Sequence, residues 1–363
     1  MSIPLLLHSK HAGETVTYRV FGPWVVPWRF HSPKEEYRAL RTGIGLIDYS
    51  TQALIEVQGT DRLSFLHNLL TNDIKRLESG QGCRAALLTP NAKFIAELLI
   101  LADSTSVWLL CDATRATTVA QTLERYLFSE PVTLINHERR KAVLALQGPQ
   151  TADALTEVVG NGVSLPHLGD HVNIPLEGLL VRVIRHPLLG ETGLLCVMKA
   201  EEAHMVWELL TRRGLRVGLI RVGWEALNVA RLEAGIPWFG IDMDESNLLP
   251  ETGLETVLAS ETKGCYVGQE IVARMQTYGS ANKKLMGLRI ESDQIPEPED
   301  VIVRNGEELG RVTSACFSLT LKQPIALGYL KRGAYDPGIH VEILHNSAHL
   351  PATVVSLPFV TRK

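Results

Sequence analysis

The sequence predicts an α+β protein that ends in a C-terminal antiparallel β-barrel. Three observations predict this. Strand and helix patterns are interleaved over the first 280 or so residues, from "ALIEVQG" (53–59) to "GWEALNVARLEAG" (223–235). Beyond Lys284 the texture changes to short strands parted by Asn-Gly, Gly and Pro turns. A composition of 45% hydrophobic and 21% charged residues over 363 positions supplies a sizeable core. The boundary between the two textures falls near 281–284.

Residues 14–24 and 53–58 read as extended. "TDRLSFLHNLLTNDIKRL" (60–77) reads as one helix, with Leu63, Leu66, Leu69, Leu70 and Ile74 on one face and Thr60 as N-cap. "CRAALLTPNAKFIAELLILADSTSVWLLC" (83–111) reads as three strands, broken at Pro90-Asn91 and Asp103-Ser104, with a helix over roughly 113–127. "AVLALQGPQTADAL" (142–155) is a strand, a Gly-Pro turn and a helix. "LLVRVIRHPLLGETGLLCVM" (179–198) is a hairpin around a Gly-rich turn. Helices follow over 201–213 and up to Gly235, and 236–262 reads as irregular. In the C-terminal part, Asn305-Gly306 within "VRNGEELG" is the strongest hairpin signal in the chain.

Composition excludes several classes. A net charge of −4 lacks the basic excess of a chain whose main task is nucleic-acid binding. No run of about 18 apolar residues occurs, and Ile3–Leu7 is too short for a signal core, so a soluble, cytoplasmic protein is expected. The five cysteines, Cys83, Cys111, Cys196, Cys265 and Cys316, are scattered and form no CxxC, which argues against a disulfide scaffold or a zinc knuckle. The twelve histidines form no HExxH pattern, and no metal site is expected.

Three stretches could carry chemistry. In "KGCYVGQE" (263–270), Cys265 precedes a short helix that carries Ile271, Val272 and Met275, with Gly268 as cap and Glu270 in the first turn. A helix entry and the nearby Lys263 would both favour a thiolate. A small buried thiol at a close chain crossing would give the same local pattern. In "LLGETGLL" (188–195), Glu191 sits in a Gly-flanked turn, where its two oxygens suit paired N–H donors of a heterocycle; a plain hairpin turn reads the same. "RMQTYGSANKKLMGLR" (274–289) carries Arg274, Lys283, Lys284 and Arg289 without an acid, and reads either as a solvated linker or as a dock for a polyanion.

"KGCYVGQE" followed by "VARMQTYG" resembles the signature of the YgfZ family, folate-binding proteins built like the T protein (aminomethyltransferase) of the glycine cleavage system. "GLIDYS" (45–50), "VQGTDRLSFLHNLLTNDIKRLESGQG" (57–82), "LALQGPQ" (144–150), "GETG" (190–193), "RLEAGIPWFGIDMDESNLLPETGLE" (231–255), "RVTSACFS" (311–318), "IALGYLKR" (325–332) and "LPF" (357–359) resemble further landmarks in family order. The resemblance implies an aminomethyltransferase-like body of two related α/β subdomains round a folate pocket, plus the barrel. Residues 1–281 would form the folate-binding region, with about 51–137 inserted between 1–50 and 138–281, and 282–363 would form the barrel.

The resemblance also implies a function. Tetrahydrofolate or a derivative would be the cofactor, with no permanent metal. Glu191, Trp224, Leu227, Lys263, Gln269 and Glu270 would form the cofactor site, and Cys265 with Lys263 the reactive one. The partners would be client iron–sulfur proteins, including tRNA-modifying enzymes, and assembly factors, with no strong nucleic-acid binding, no membrane and a monomeric chain. T proteins carry an Asp pair, one of them catalytic, where this chain has Ala96-Glu97, and Gly-Arg-Glu where it has Gly268-Gln269-Glu270. They also lack the cysteine. The alternatives are a folate-dependent aminomethyltransferase working through Glu97 and a folate-binding scaffold without chemistry.

Overall fold

Gln52–Gln58 alternates apolar and polar residues towards its end and buries Ala53, Leu54, Ile55 and Val57. It lies in a five-stranded sheet ordered Gly82–Leu88, Phe94–Ala102, Ser106–Asp112, Gln52–Gln58, Thr133–Asn136. A second, six-stranded sheet runs His171–Leu176, Leu179–Arg185, Gly193–Lys199, Lys141–Gln147, Gly45–Asp48, Ile220–Arg221. Its strands Lys141–Gln147 and Gly193–Lys199 are almost continuously apolar and buried, as expected of strands covered on both faces. The helices Thr151–Val158 and Ala203–Gly214 pack on it through a core that includes Val158, Val206, Trp207 and Leu210. This computed structural model describes residues 2–11, 15–160, 163–190, 192–278 and 281–361.

The chain divides into two compact units. The first holds residues 1–88, 95–227 and 257–267, and with them the two sheets. The second holds 89–94, 228–256 and 268–363. Its centre is a closed barrel, ordered Lys283–Ile290, Gln323–Lys331, Glu307–Ser318, Val301–Arg304, His340–His345, Ala348–Val355. Alternate residues of these strands, among them Leu288, Ile302, Val312, Val341, Ile343 and Val354, fill the interior. Closure removes the exposed sheet edges that strands this short would otherwise present. Asn305 (φ 52°) and Gly306 (φ 80°) form the left-handed turn that the sequence signals. The predicted fold class is the one observed.

Several elements differ from expectation, including the short helices Leu249–Thr252 and Glu255–Leu258 in the stretch read as irregular. The helix expected over 60–77 is only Arg62–Leu69, and its N-cap position falls on Asp61 rather than Thr60. Leu70 is already extended, although Leu66, Leu69, Leu70 and Ile74 are all buried. Periodicity identified the buried side chains, and the backbone leaves the helix to meet partners far along the chain. The helix Pro33–Thr42, not anticipated, is started by a capping box between Ser32 and Glu35. The strand His171–Leu176 was also not anticipated; it contains Pro175, and only His171 and Leu176 are buried.

Candidate functional site

The segment 257–267 is threaded along the chain that follows the Arg62–Leu69 helix. Thr71 Oγ1 donates to Leu258 O, Ser260 N donates to Thr71 O at 3.0 Å, and Ala86 N donates to Thr71 Oγ1 at 2.8 Å. Lys263 completes this crossing. Its ammonium is buried and donates to the carbonyls of His67, Leu70 and Asn72. These are carbonyls that the early end of the helix leaves without intrahelical partners. Burial pulls Lys263 down to about 8, while the Asp73 carboxylate and Cys83 pull the other way.

Around this ammonium stand residues that sequence reasoning missed. His67 Nδ1 lies 3.3 Å from Asp73 Oδ1. Burial lowers His67 below its ordinary value; the charges of Lys263, Lys75 and Arg76 add to this and Asp73 opposes it. Cys83 is half-buried, and burial with the Asp73 charge pushes its thiol up to about 12. The local pattern of 67–73 reads as helix, so only the long-range crossing reveals the group.

Two residues beyond Lys263, Cys265 is exposed in an extended loop, four residues before the Gln269–Tyr278 helix begins. The helix begins just beyond Gly268, as the sequence predicts, and the Lys263 charge is committed to three carbonyls. Gly268 (φ 84°) opens the helix, its carbonyl accepting from Val272 N at 3.4 Å, and a Cβ there would stand 2.8 Å from Thr89 O. Gln269 is half-buried and Glu270 is exposed in the first turn. The other cysteines differ from Cys265. Cys111, Cys196 and Cys316 are buried, and burial pushes each thiol up to about 12.

Glu191 itself lies outside the described residues. The two sides of its turn are described, and Gln147 pins both. Gln147 is fully buried; its Oε1 accepts from Leu188 N at 2.8 Å and its Nε2 donates to the carbonyls of His186 (3.2 Å) and Leu194 (3.4 Å). Residue 193 has to be glycine, because a Cβ would stand 2.2 Å from Gln147 Oε1. At the base of this turn the Nδ1 of His186 is buried without a hydrogen-bond partner among the described residues. Burial, with the nearby charge of Arg84, pulls His186 down to about 3, so the ring is neutral.

Arg84 in turn holds Glu97. Its Nε and Nη2 both donate to Glu97 Oε1, at 2.9 and 2.6 Å. Ala96, beside it, is buried. Trp224 is buried, donates from Nε1 to Asp48 O at 3.1 Å and stacks on Tyr49 with ring centres 5.8 Å apart; Leu227 is fully buried. Among the described residues, no group of three or more His, Cys, Asp or Glu side chains could hold a metal ion, and no helix is long and apolar enough to cross a membrane.

Comparison with known proteins gives one answer over the whole chain. Residues 7–262 match the GCVT N-terminal domain, and residues 283–361 match the glycine cleavage T-protein C-terminal barrel domain. The chain is 31% identical to an aminomethyltransferase from Bacillus mycoides, over 98% of this chain and 96% of that one. It is 29% identical to an aminomethyltransferase from Bacillus licheniformis, over 98% and 97%. The crystal structure of the glycine cleavage system aminomethyltransferase T from Bartonella henselae superposes with a TM-score of 0.87 at 25% identity, covering 99% of this chain and 98% of that one. Two domains matched in order, relatives matched from end to end and a shared fold together place the chain in the glycine cleavage T-protein family.

Proposed function

We propose that the chain is a tetrahydrofolate-binding protein on the YgfZ branch of the T-protein family, in which Cys265 serves iron–sulfur enzymes, including those that modify tRNA. The observation that carries this is the contrast among the cysteines. Cys265 alone is exposed, on a loop anchored by Lys263, while burial pushes the other four thiols far above neutral pH. A single accessible thiol suits transient ligation of a cluster passing to a client or thiol exchange; stable holding normally takes about four ligands.

Folate binding is supported by the family and by the turn at 186–194. The buried, unpartnered Nδ1 of neutral His186 fits a heterocycle with polar edges, as does a carboxylate at Glu191. When bound, tetrahydrofolate supplies a carrier for one-carbon units. Gln147 orients both sides of the turn that would hold it.

End-to-end similarity to aminomethyltransferases favours a second reading, folate-dependent one-carbon transfer. That chemistry needs a carboxylate at the reacting centre, and Glu97 is the local candidate. Its Oε1 is engaged twice by Arg84, which fixes it in place. One pair of measurements separates the readings. The first assays methylene-tetrahydrofolate formation from an aminomethylated donor, with the wild-type protein and with Glu97→Gln. The second measures client iron–sulfur enzyme activity in a deletion strain carrying Cys265→Ala. Turnover lost in Glu97→Gln, with client activity intact in Cys265→Ala, replaces the first reading by the second.

A further inference from the structure

We propose that the first unit carries a second small-molecule site, a cavity of about 210 Å³ at the N-terminal end of the Thr151–Val158 helix that takes a small carboxylate- or phosphate-bearing anion. Thr151, Ala152, Leu155, Leu165, Arg185 and Thr192 are among its walls. The volume is below the roughly 300–1,000 Å³ of ordinary small-molecule pockets, so the ligand is fragment-sized.

Thr151 gives the cavity its first polar group. It is 2% exposed, and its Oγ1 is buried with no hydrogen-bond partner among the described residues. A buried hydroxyl normally finds a partner, and one without costs stability unless something supplies it. Arg185 gives the second. No ion pair or hydrogen bond of its guanidinium occurs among the described residues, although Arg182, on the same strand, is held by Asp103 and Asn173. The helix gives the third. The amides of Gln150, Thr151 and Ala154 are used, donating to Gly43 O, Gly148 O and Gln150 O. Those of Ala152 and Asp153 are left as helix-end donors, at the positive end of the helix dipole.

The neighbouring acids do not fill this role. Asp153 is exposed and is not part of the wall, and the Asp170 carboxylate accepts from His167 N at 2.7 Å. Thr192 donates to Gly148 O at 2.8 Å, which ties the wall of the cavity to the turn before the helix. A cation, an unpartnered hydroxyl and free amides, with no anion among the described lining residues, describe a binding site for a negative group, with Leu155 and Leu165 flanking its apolar part. Thr192 belongs to the turn that the folate reading also uses, but the anion site requires neither folate nor Cys265.

The test is isothermal titration of the full chain with sodium phosphate and, separately, with sodium succinate, at constant ionic strength. Saturable one-to-one binding of either anion is expected; which one binds identifies the headgroup. Arg185→Gln should weaken it about tenfold or more, and Thr151→Val severalfold. Arg185→Lys keeps the charge but loses the fork, so weaker binding at an unchanged melting temperature separates recognition from folding. The proposal is overturned if neither anion saturates, or if Arg185→Gln and Thr151→Val bind as the wild type does.

Discussion

Two buried cations, one from each unit, are handled in opposite ways. In the second unit Arg231 is fully buried and ion-paired with equally buried Asp242. It also donates to Ile236 O, Ser314 Oγ and Asn228 Oδ1, and its guanidinium lies 4.6 Å from the centre of the Trp238 ring. Asp242 accepts from Thr313 Oγ1 at 2.7 Å and from Trp238 N at 3.0 Å. Charge cancels charge, and every polar edge is used. In the first unit Lys263 has no carboxylate bonded to it; three neutral carbonyls hold it, two residues from an exposed thiol. The Arg231 knot is a piece of core. The Lys263 clamp is a peg that fixes where a loop crosses the chain, and leaves the loop's next residues in solvent.

The largest effect is expected at the knot. Arg231→Met leaves Asp242 buried and unpaired, and should cost about 3–5 kcal/mol in urea unfolding. Adding Asp242→Leu should restore part of that; a double variant worse than the single one would show the pair to be more than a mutual neutralisation. Lys263→Met removes three hydrogen bonds to a charged donor, and should cost about 2–3 kcal/mol. Its mark is local. Amides of 257–267 should exchange faster with solvent, while those of the barrel keep their protection.

A third cluster lies within the first unit. Asp103 accepts from Trp108 Nε1 (3.0 Å), meets His171 Nε2 at 3.1 Å and is held by Arg182 at 2.5 Å. Burial alone would raise this carboxyl; the His171 hydrogen bond and the Arg182 charge outweigh it and hold it below its ordinary value. A lowered folded value means stability that is complete above the unfolded value of about 3.9 and is lost as pH falls through the folded one. Asp103→Asn should therefore cost about 2 kcal/mol at pH 7, and its gap from wild type should close on acidification below about pH 4. A gap independent of pH would assign the loss to packing.

A smaller cost, about 1–3 kcal/mol, is expected for Gly193→Ala, because the new methyl displaces a Gln147 amide locked by three hydrogen bonds. The gentlest probe is chemical. Iodoacetamide on the native protein should label Cys265 alone within the time that labels all five cysteines in urea. Equal labelling of Cys83 would mean that its strand opens readily and would weaken the contrast on which the proposed function rests.

Much of the fold was legible because its signals are local. Pro90-Asn91 and Asp103-Ser104 break the three strands where the sequence said they would, and Asn305-Gly306 makes its turn. The end of the Arg62–Leu69 helix was not legible, because Leu70 and Ile74 keep the helical spacing while Lys263, nearly 200 residues away, takes the carbonyls. Of the site, Cys265 and Lys263 stood out by composition and motif. His67, Asp73 and Cys83 did not, since each is unremarkable until the 257–267 segment is laid across them. Gln147 reads as the end of a strand, and its clamp on both sides of the Glu191 turn exists only once the sheet has formed.

The sequence by itself determined the strand and helix content, the change to a barrel near residue 283 and the one cysteine in a glycine-rich loop. Those follow from side-chain periodicity and backbone permissiveness, which act over a few residues. Only the tertiary structure decided which buried polar groups find partners and which do not. It gave Arg231 a carboxylate and Lys263 three carbonyls, and it left His186 Nδ1 and Thr151 Oγ1 without partners. Burial and hydrogen bonding are set by residues distant in sequence, and they turn an ordinary lysine into a clamp and an ordinary cysteine into the one within reach of solvent.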